Sequence, residues 1–121
     1  LQIEIDPTRI KRVIARFLTE VEQLAAQKED KVFVVLNGST EMVFKRDDGV
    51  VKCQEPVRDR FFKETFDELS DFDNIRLVDL AIPFKQGICD GGLQLRFKTD
   101  GHWNTNGHRV AADAIVQAIK G

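Results

Sequence analysis

Lys31–Leu36 reads Lys-Val-Phe-Val-Val-Leu, an unbroken β-branched and aromatic run with no polar alternation. Such a strand expects cover on both faces and neighbours on both edges, as in a parallel sheet flanked by helices. The chain offers it little company. One other segment, Ile75–Leu80, reads as a comparable main strand. Two strands make a poor sheet, because stability generally needs three or more, or extensive helical cover. Leu1-Gln2-Ile3-Glu4-Ile5 alternates and adds at best a short third strand. The expectation is an incomplete sheet, belonging either to a larger domain or to an assembly with another chain.

Helices surround these strands. Asp6 suits an N-cap and Pro7 the first helical position. Ile10, Val13, Ile14, Phe17, Leu18, Val21 and Leu24 then recur at three-and-four spacing, which predicts a helix to about Gln27. Pro56 precedes a second helix with Val57, Phe61, Phe62, Phe66 and Leu69 on one side. A third runs from about Thr105 to Lys120, with Val110, Ala111, Ala114, Ile115, Ala118 and Ile119 facing inward. Asp47-Asp48-Gly49, between two apolar pairs, suits a small hairpin. Pro83 to Thr99 is rich in glycine and proline and reads as a long loop. The order helix, strand, helix, strand, helix is that of an α/β chain with right-handed crossovers. At 121 residues, with no interior linker, it reads as one domain or part of one.

Composition excludes some partners. The 18 basic and 20 acidic side chains leave a net charge of -2, so no basic surplus exists to neutralise nucleic-acid phosphates. No apolar run approaches the ~20 residues that span a bilayer. Cys53 and Cys89 are too few for a disulfide framework; buried free thiols are the expectation and a disulfide the alternative. Compartment and oligomeric state stay open.

The chemistry lies in Thr99–Ala112, around Asp100-Gly101-His102-Trp103-Asn104. In an extended loop, residues two apart point the same way. A carboxylate so placed accepts a hydrogen bond from the imidazole Nδ1, fixing the tautomer and leaving Nε2 as a general base. Gly101 permits a sharp backbone path, and Asn104 suits the N-cap of the last helix. On spacing alone, a solvated loop with a structural aspartate is the better explanation of the pair.

The wider block, Asp100-Gly-His-Trp-Asn-Thr-Asn-Gly-His-Arg-Val-Ala-Ala-Asp-Ala-Ile115, resembles the last motif block of the SGNH (GDSL-like) hydrolases, in which an Asp and a His precede the final helix. Most of that family places the aspartate three residues before the histidine. Here it stands two before, with Trp103 and Asn104 following. That matches the Asp-x-His-Trp subset, which includes alginate-type and peptidoglycan-type O-acetyltransferases. The specific part of the resemblance is residues 99–115. It implies the C-terminal half of a flavodoxin-like three-layer α/β sandwich with parallel strands, incomplete in this chain. It also implies a Ser-His-Asp triad for ester hydrolysis or acyl transfer to a carbohydrate hydroxyl. Asp100 would orient His102, His102 would be the base, and Trp103, Asn104 and Gly107 would shape the loop and helix start. No cofactor or metal is implied. The partners would be an acyl ester or carbohydrate substrate and the remaining half of the domain or another chain.

The rest of the family pattern is missing from these 121 residues. Neither the Gly-Asp-Ser block of the nucleophile nor the Gly-x-Asn-Asp block of the oxyanion hole occurs, and Ser39 and Ser70 are the only serines. Ser39 follows the end of an apolar strand, where α/β sites gather, yet Asn37-Gly38-Ser39-Thr40 suits a turn or helix cap better. Ser70 reads as a surface residue near a helix end. Cys89, beside Asp90, is a conceivable nucleophile without family support. His108 could join Asp100 and His102 around a metal, but the spacing fits no standard zinc pattern, and packing or capping suits it better. The mixed charges at Lys45–Asp48 and Arg58–Arg60 read as solvated faces. The competing reading is a non-catalytic α/β binding or interaction module.

Overall fold

In the computed structural model, which describes residues 6–69 and 71–121, the chain forms four helices and four strands. In chain order they are α1 (Pro7–Lys28), β1 (Val32–Leu36), β2 (Val43–Asp47), β3 (Val50–Gln54), α2 (Val57–Leu69), β4 (Ile75–Asp79), α3 (Ala81–Cys89) and α4 (Thr105–Lys120). The alternating segment 1–5 and Ser70 lie outside the described residues. No described helix is long and apolar enough to cross a membrane.

Local chemistry explains most of these elements. The Asp6 carboxylate accepts the Thr8 N–H at 3.0 Å, and Pro7 fills the first turn of α1. β2 and β3 pair antiparallel, Phe44 opposite Cys53 and Asp47 opposite Val50. Their two-residue turn, Asp48-Gly49, has positive φ at both positions (49° and 78°), as this kind of tight hairpin demands.

The chain divides into two compact units. One comprises the chain up to Val34 together with Phe62–Leu77; the other comprises Val35–Phe61 and Val78–Gly121. β1, α2 and β4 each pass from one unit into the other, so no linker composition marks the boundary.

β1 and β4 pair as a two-stranded sheet. In the first unit Val32 N–H donates to Asn74 O at 2.8 Å, and in the second Leu80 N–H donates to Leu36 O at 3.0 Å. Residues advance together along both strands, so the pair is parallel. The expected double-sided burial of β1 is not found. None of its residues is buried, and Val35 is exposed. The physical reason is the short sheet: among the described residues β1 has a neighbour on one edge only.

Buried residues of the first unit are Leu18, Ala25, Thr65, Phe66 and Ile75; here the Glu22 carboxylate also accepts the Asn74 backbone N–H at 3.1 Å and its side-chain amide at 2.9 Å. Buried residues of the second include Met42, Val78, Leu80, Ala81, Phe84, Leu95 and Ala111.

Two further expectations need correction. Residues 83–89, read as the start of a loop, belong to α3. Pro83 sits in the first turn, where its missing N–H has no helical acceptor to lose. Cys53 and Cys89 are not free thiols but a disulfide, closing a loop of sequence separation 36 between β3 and the end of α3. This also removes Cys89 as a nucleophile, since it carries no thiol.

Candidate functional site

The second unit builds the loop bearing Asp100 and His102 from the inside out. Leu95 is fully buried and anchors the incoming segment. Asn104 then ties residues 94–96 to α4. Its backbone N–H donates to Leu95 O at 3.0 Å, and its side-chain NH₂ donates to Gln94 O at 2.9 Å and Arg96 O at 3.1 Å. The same side chain accepts the Gly107 N–H at 2.9 Å, capping α4. Gly107 is buried against the Leu95 backbone. A Cβ there would meet Leu95 O at 2.2 Å and the Trp103 Cβ at 3.0 Å. Trp103 bridges Arg96 and sets its ring edge-on to Phe84 (5.5 Å between centroids) and to His108 (5.4 Å). His108 therefore packs on an aromatic ring. Among the described residues no three His, Cys, Asp or Glu side chains converge as a metal would require.

The loop tip is held less by packing than by Asp100. Phe97 N–H donates to His102 O at 3.2 Å, closing the loop. Asp100 Oδ1 accepts the His102 backbone N–H at 2.8 Å and lies 3.2 Å from His102 Nδ1. The two side chains thus meet, but through a carboxylate-capped turn and not through the extended backbone the spacing suggests. Gly101 is not needed for sterics, since a Cβ there would meet open space and its φ is not left-handed. The His102 side chain is 88% exposed and that of Asp100 52%, so the remaining ring nitrogen is open to solvent.

The His102 backbone N–H, ahead of the smaller contributions from the imidazole and from Arg96, holds the exposed Asp100 carboxyl below its ordinary value of 3.8. A depressed pKa means the turn is fully supported above pH 3.8 and released as pH falls through the lower folded-state value. In an NMR pH titration the His102 amide resonance should therefore move with a midpoint below 3.8, and Asp100→Asn should erase that step. A midpoint at or above 3.8 would contradict the capped turn.

A cleft opens beside this loop in the same unit, at the carboxyl end of β1. Its walls are the Asn37–Glu41 loop, Arg58, Arg96, Gly101 and Trp103. The Asn37–Glu41 loop reaches this position because Gly38 passes close to α3; a Cβ at Gly38 would stand 2.6 Å from the Ala81 Cα. Ser39 is fixed by Asp59, which accepts its N–H at 2.9 Å and its hydroxyl at 2.7 Å, while Arg58 donates to the same hydroxyl at 3.2 Å. Asp59 is buried (7% exposed), which corrects the reading of Arg58–Arg60 as a uniformly solvated face. Asp59, Arg58 and Arg96 escape a sequence reading because Ser39 meets Asp59 across 20 residues and Glu41 meets Arg96 across 55. Ser39 brings an anchored hydroxyl to the cleft, and its described partners are a carboxylate and a guanidinium, not an imidazole.

No family model, curated protein or solved structure matches this chain. What the site does is therefore argued from its own residues.

Proposed function

We propose that this chain carries the acid–base half of an SGNH-type serine esterase or O-acyltransferase. In this role Asp100 orients His102, and His102 deprotonates a serine supplied by a segment outside these 121 residues. The single observation behind the reading is the Asp100–His102 pair, 3.2 Å from Oδ1 to Nδ1, with the other ring nitrogen open. A carboxylate at Nδ1 holds the Nδ1–H tautomer and stabilises the imidazolium formed when Nε2 takes a proton. Placement of the pair just before α4, together with Trp103, Asn104 and Gly107 locking the helix start, supports the family resemblance of residues 99–115. The one-sided sheet around β1 supports a partner segment that completes it.

In hydrolysis, the serine oxygen would attack the ester carbonyl as His102 takes its proton. His102 would then return that proton to the departing alkoxide. In a second step His102 would take a proton from water as that water attacks the acyl-serine, and would return it to the serine oxygen as the acid leaves. In transfer, a carbohydrate hydroxyl would take the water's place and leave as the new ester.

The test uses p-nitrophenyl acetate. The chain alone is expected to give no His102-dependent turnover. Expressed with the coding sequence that flanks it, turnover should appear and fall about 10³-fold or more in His102→Ala. Turnover that survives His102→Ala would overturn the assignment. Turnover by the chain alone, abolished by Ser39→Ala, would move the nucleophile to Ser39. A flanking sequence without a Gly-Asp-Ser-like block would favour the binding-module reading.

A further inference from the structure

The first unit leaves an apolar sector of α1 exposed. At 3.6 residues per turn, Ile10, Val13, Phe17 and Leu24 fall within about 60° of one another around the helix axis. The sector lies beside the buried side of α1, which carries Leu18 and Ala25, and not on it. Val13 is 64% exposed, Phe17 49% and Leu24 59%. Cations border its other side. Arg9, Arg12 and Arg16 are all exposed and line a shallow depression together with Val13. Next to it, Ile10, Val13, Ile14 and Phe62 form an apolar hollow that Arg9 rims. Among the described residues neither Arg9 nor Arg12 is in an ion pair. Arg16 pairs with Glu20 at 3.3 Å, between two mostly exposed side chains, which neutralises the one carboxylate beside the sector. In a chain of net charge -2, α1 carries five cations (Arg9, Lys11, Arg12, Arg16 and Lys28) and two carboxylates (Glu20 and Glu22).

We propose that this face of α1 lies on the surface of an anionic phospholipid bilayer, in the plane of the headgroups and without spanning it. A helix with arginines along one border and Phe, Leu and Val beside them suits that plane, with the apolar side chains below the headgroups and the guanidiniums level with the phosphates. Within one turn of α1 the arginine depression meets the apolar hollow at Arg9 and Val13, the order in which a phospholipid presents phosphate and then methylenes. An acidic protein helix would match the charge, but it would need holes for its side chains along the contact. The sector offers a short exposed ridge, to which fluid acyl chains conform. The surface is independent of the acyl-transfer reading: its residues belong to the first unit, Asp100 and His102 to the second.

The test is co-sedimentation of the chain with vesicles of phosphatidylcholine alone and of phosphatidylcholine mixed with phosphatidylglycerol. The mixed vesicles are expected to retain the chain and the neutral ones not, with retention falling as salt is added. Arg9→Gln combined with Arg12→Gln should weaken binding more than about tenfold, and Arg12→Lys, which keeps the charge, should bind like the parent. Lys45→Gln combined with Arg46→Gln removes the same charge from the exposed hairpin and should leave binding unchanged. Phe17→Gln should weaken binding while keeping the need for anionic lipid. No binding, equal binding to both vesicles, or an equal loss in the hairpin variant would overturn the proposal. So would displacement by inorganic phosphate at constant ionic strength, which would make this a site for a soluble anion. A dimer broken by Phe17→Gln in a chain that ignores vesicles would give the sector to a second copy and overturn it as well.

Discussion

Replacing Cys53 and Cys89 together with serine is expected to lower stability by about 4 kcal/mol at 25 °C, the loop-closure entropy returned to an unfolded chain with a 36-residue separation between the linked positions. That is a large share of the ~5–15 kcal/mol that stabilises an ordinary domain. The effect should also be local. Every residue of β2 is exposed, and a two-stranded hairpin is marginal in water by itself. The disulfide joins β3 to the end of α3 and so supplies much of what holds the β2–β3 hairpin in the second unit. Urea midpoints of the oxidised protein and the double serine variant would measure the loss. Hydrogen exchange should show Val43–Gln54 losing protection before α4. An unchanged midpoint would mean that the covalent link does little in the folded protein.

Gly107→Ala is expected to cost about 2–3 kcal/mol, against the usual preference for alanine in a helix. Alanine gains up to ~1 kcal/mol over glycine in a helix interior. At this position its methyl group would stand 2.2 Å from Leu95 O, a backbone atom with no rotamer to escape by. Relief would require moving the 94–96 segment away from α4. That overpacking costs ~1–3 kcal/mol, and it would break the Asn104 N–H bond to Leu95 O, worth a further ~1 kcal/mol. The clash therefore wins. Chemical denaturation reads the loss, and the Asp100–His102 contact reads the consequence. As the loop that carries the pair shifts, the Nδ1–H tautomer of His102 should become mixed in long-range ¹H–¹⁵N spectra. A Gly107→Ala protein as stable as the parent would show that α4 and the dyad loop are not locked through this contact.

These two residue sets differ in how far they can be read from the chain. Asp100 and His102 are two apart, and the capped turn joining them is local, so the sequence suffices to bring them together. The same holds for α1 and α4, whose apolar periodicity and caps, Asp6 and Asn104, sit within a few residues of the elements they define. The Asp48-Gly49 turn is legible for the same reason. α3 is not, because nine residues containing Pro83 and Gly87 carry too short a periodic signal to outweigh their loop-like composition.

Whatever depends on segments far apart in sequence belongs to the tertiary structure. The disulfide is one case, chosen by the approach of β3 to α3 and not by anything near either cysteine. The hold of Asp59 on Ser39 is another: it turns an ordinary acidic residue in a mixed-charge stretch into a buried anchor. The sequence by itself determined α1, α2 and α4, the hairpin, the strand signals and the adjacency of the Asp–His pair, because short-range sterics and hydrogen bonds act within a few residues. The tertiary structure alone decided which groups line the cleft and how exposed the apolar strand is, because both depend on long-range approach and on how many strand neighbours are present.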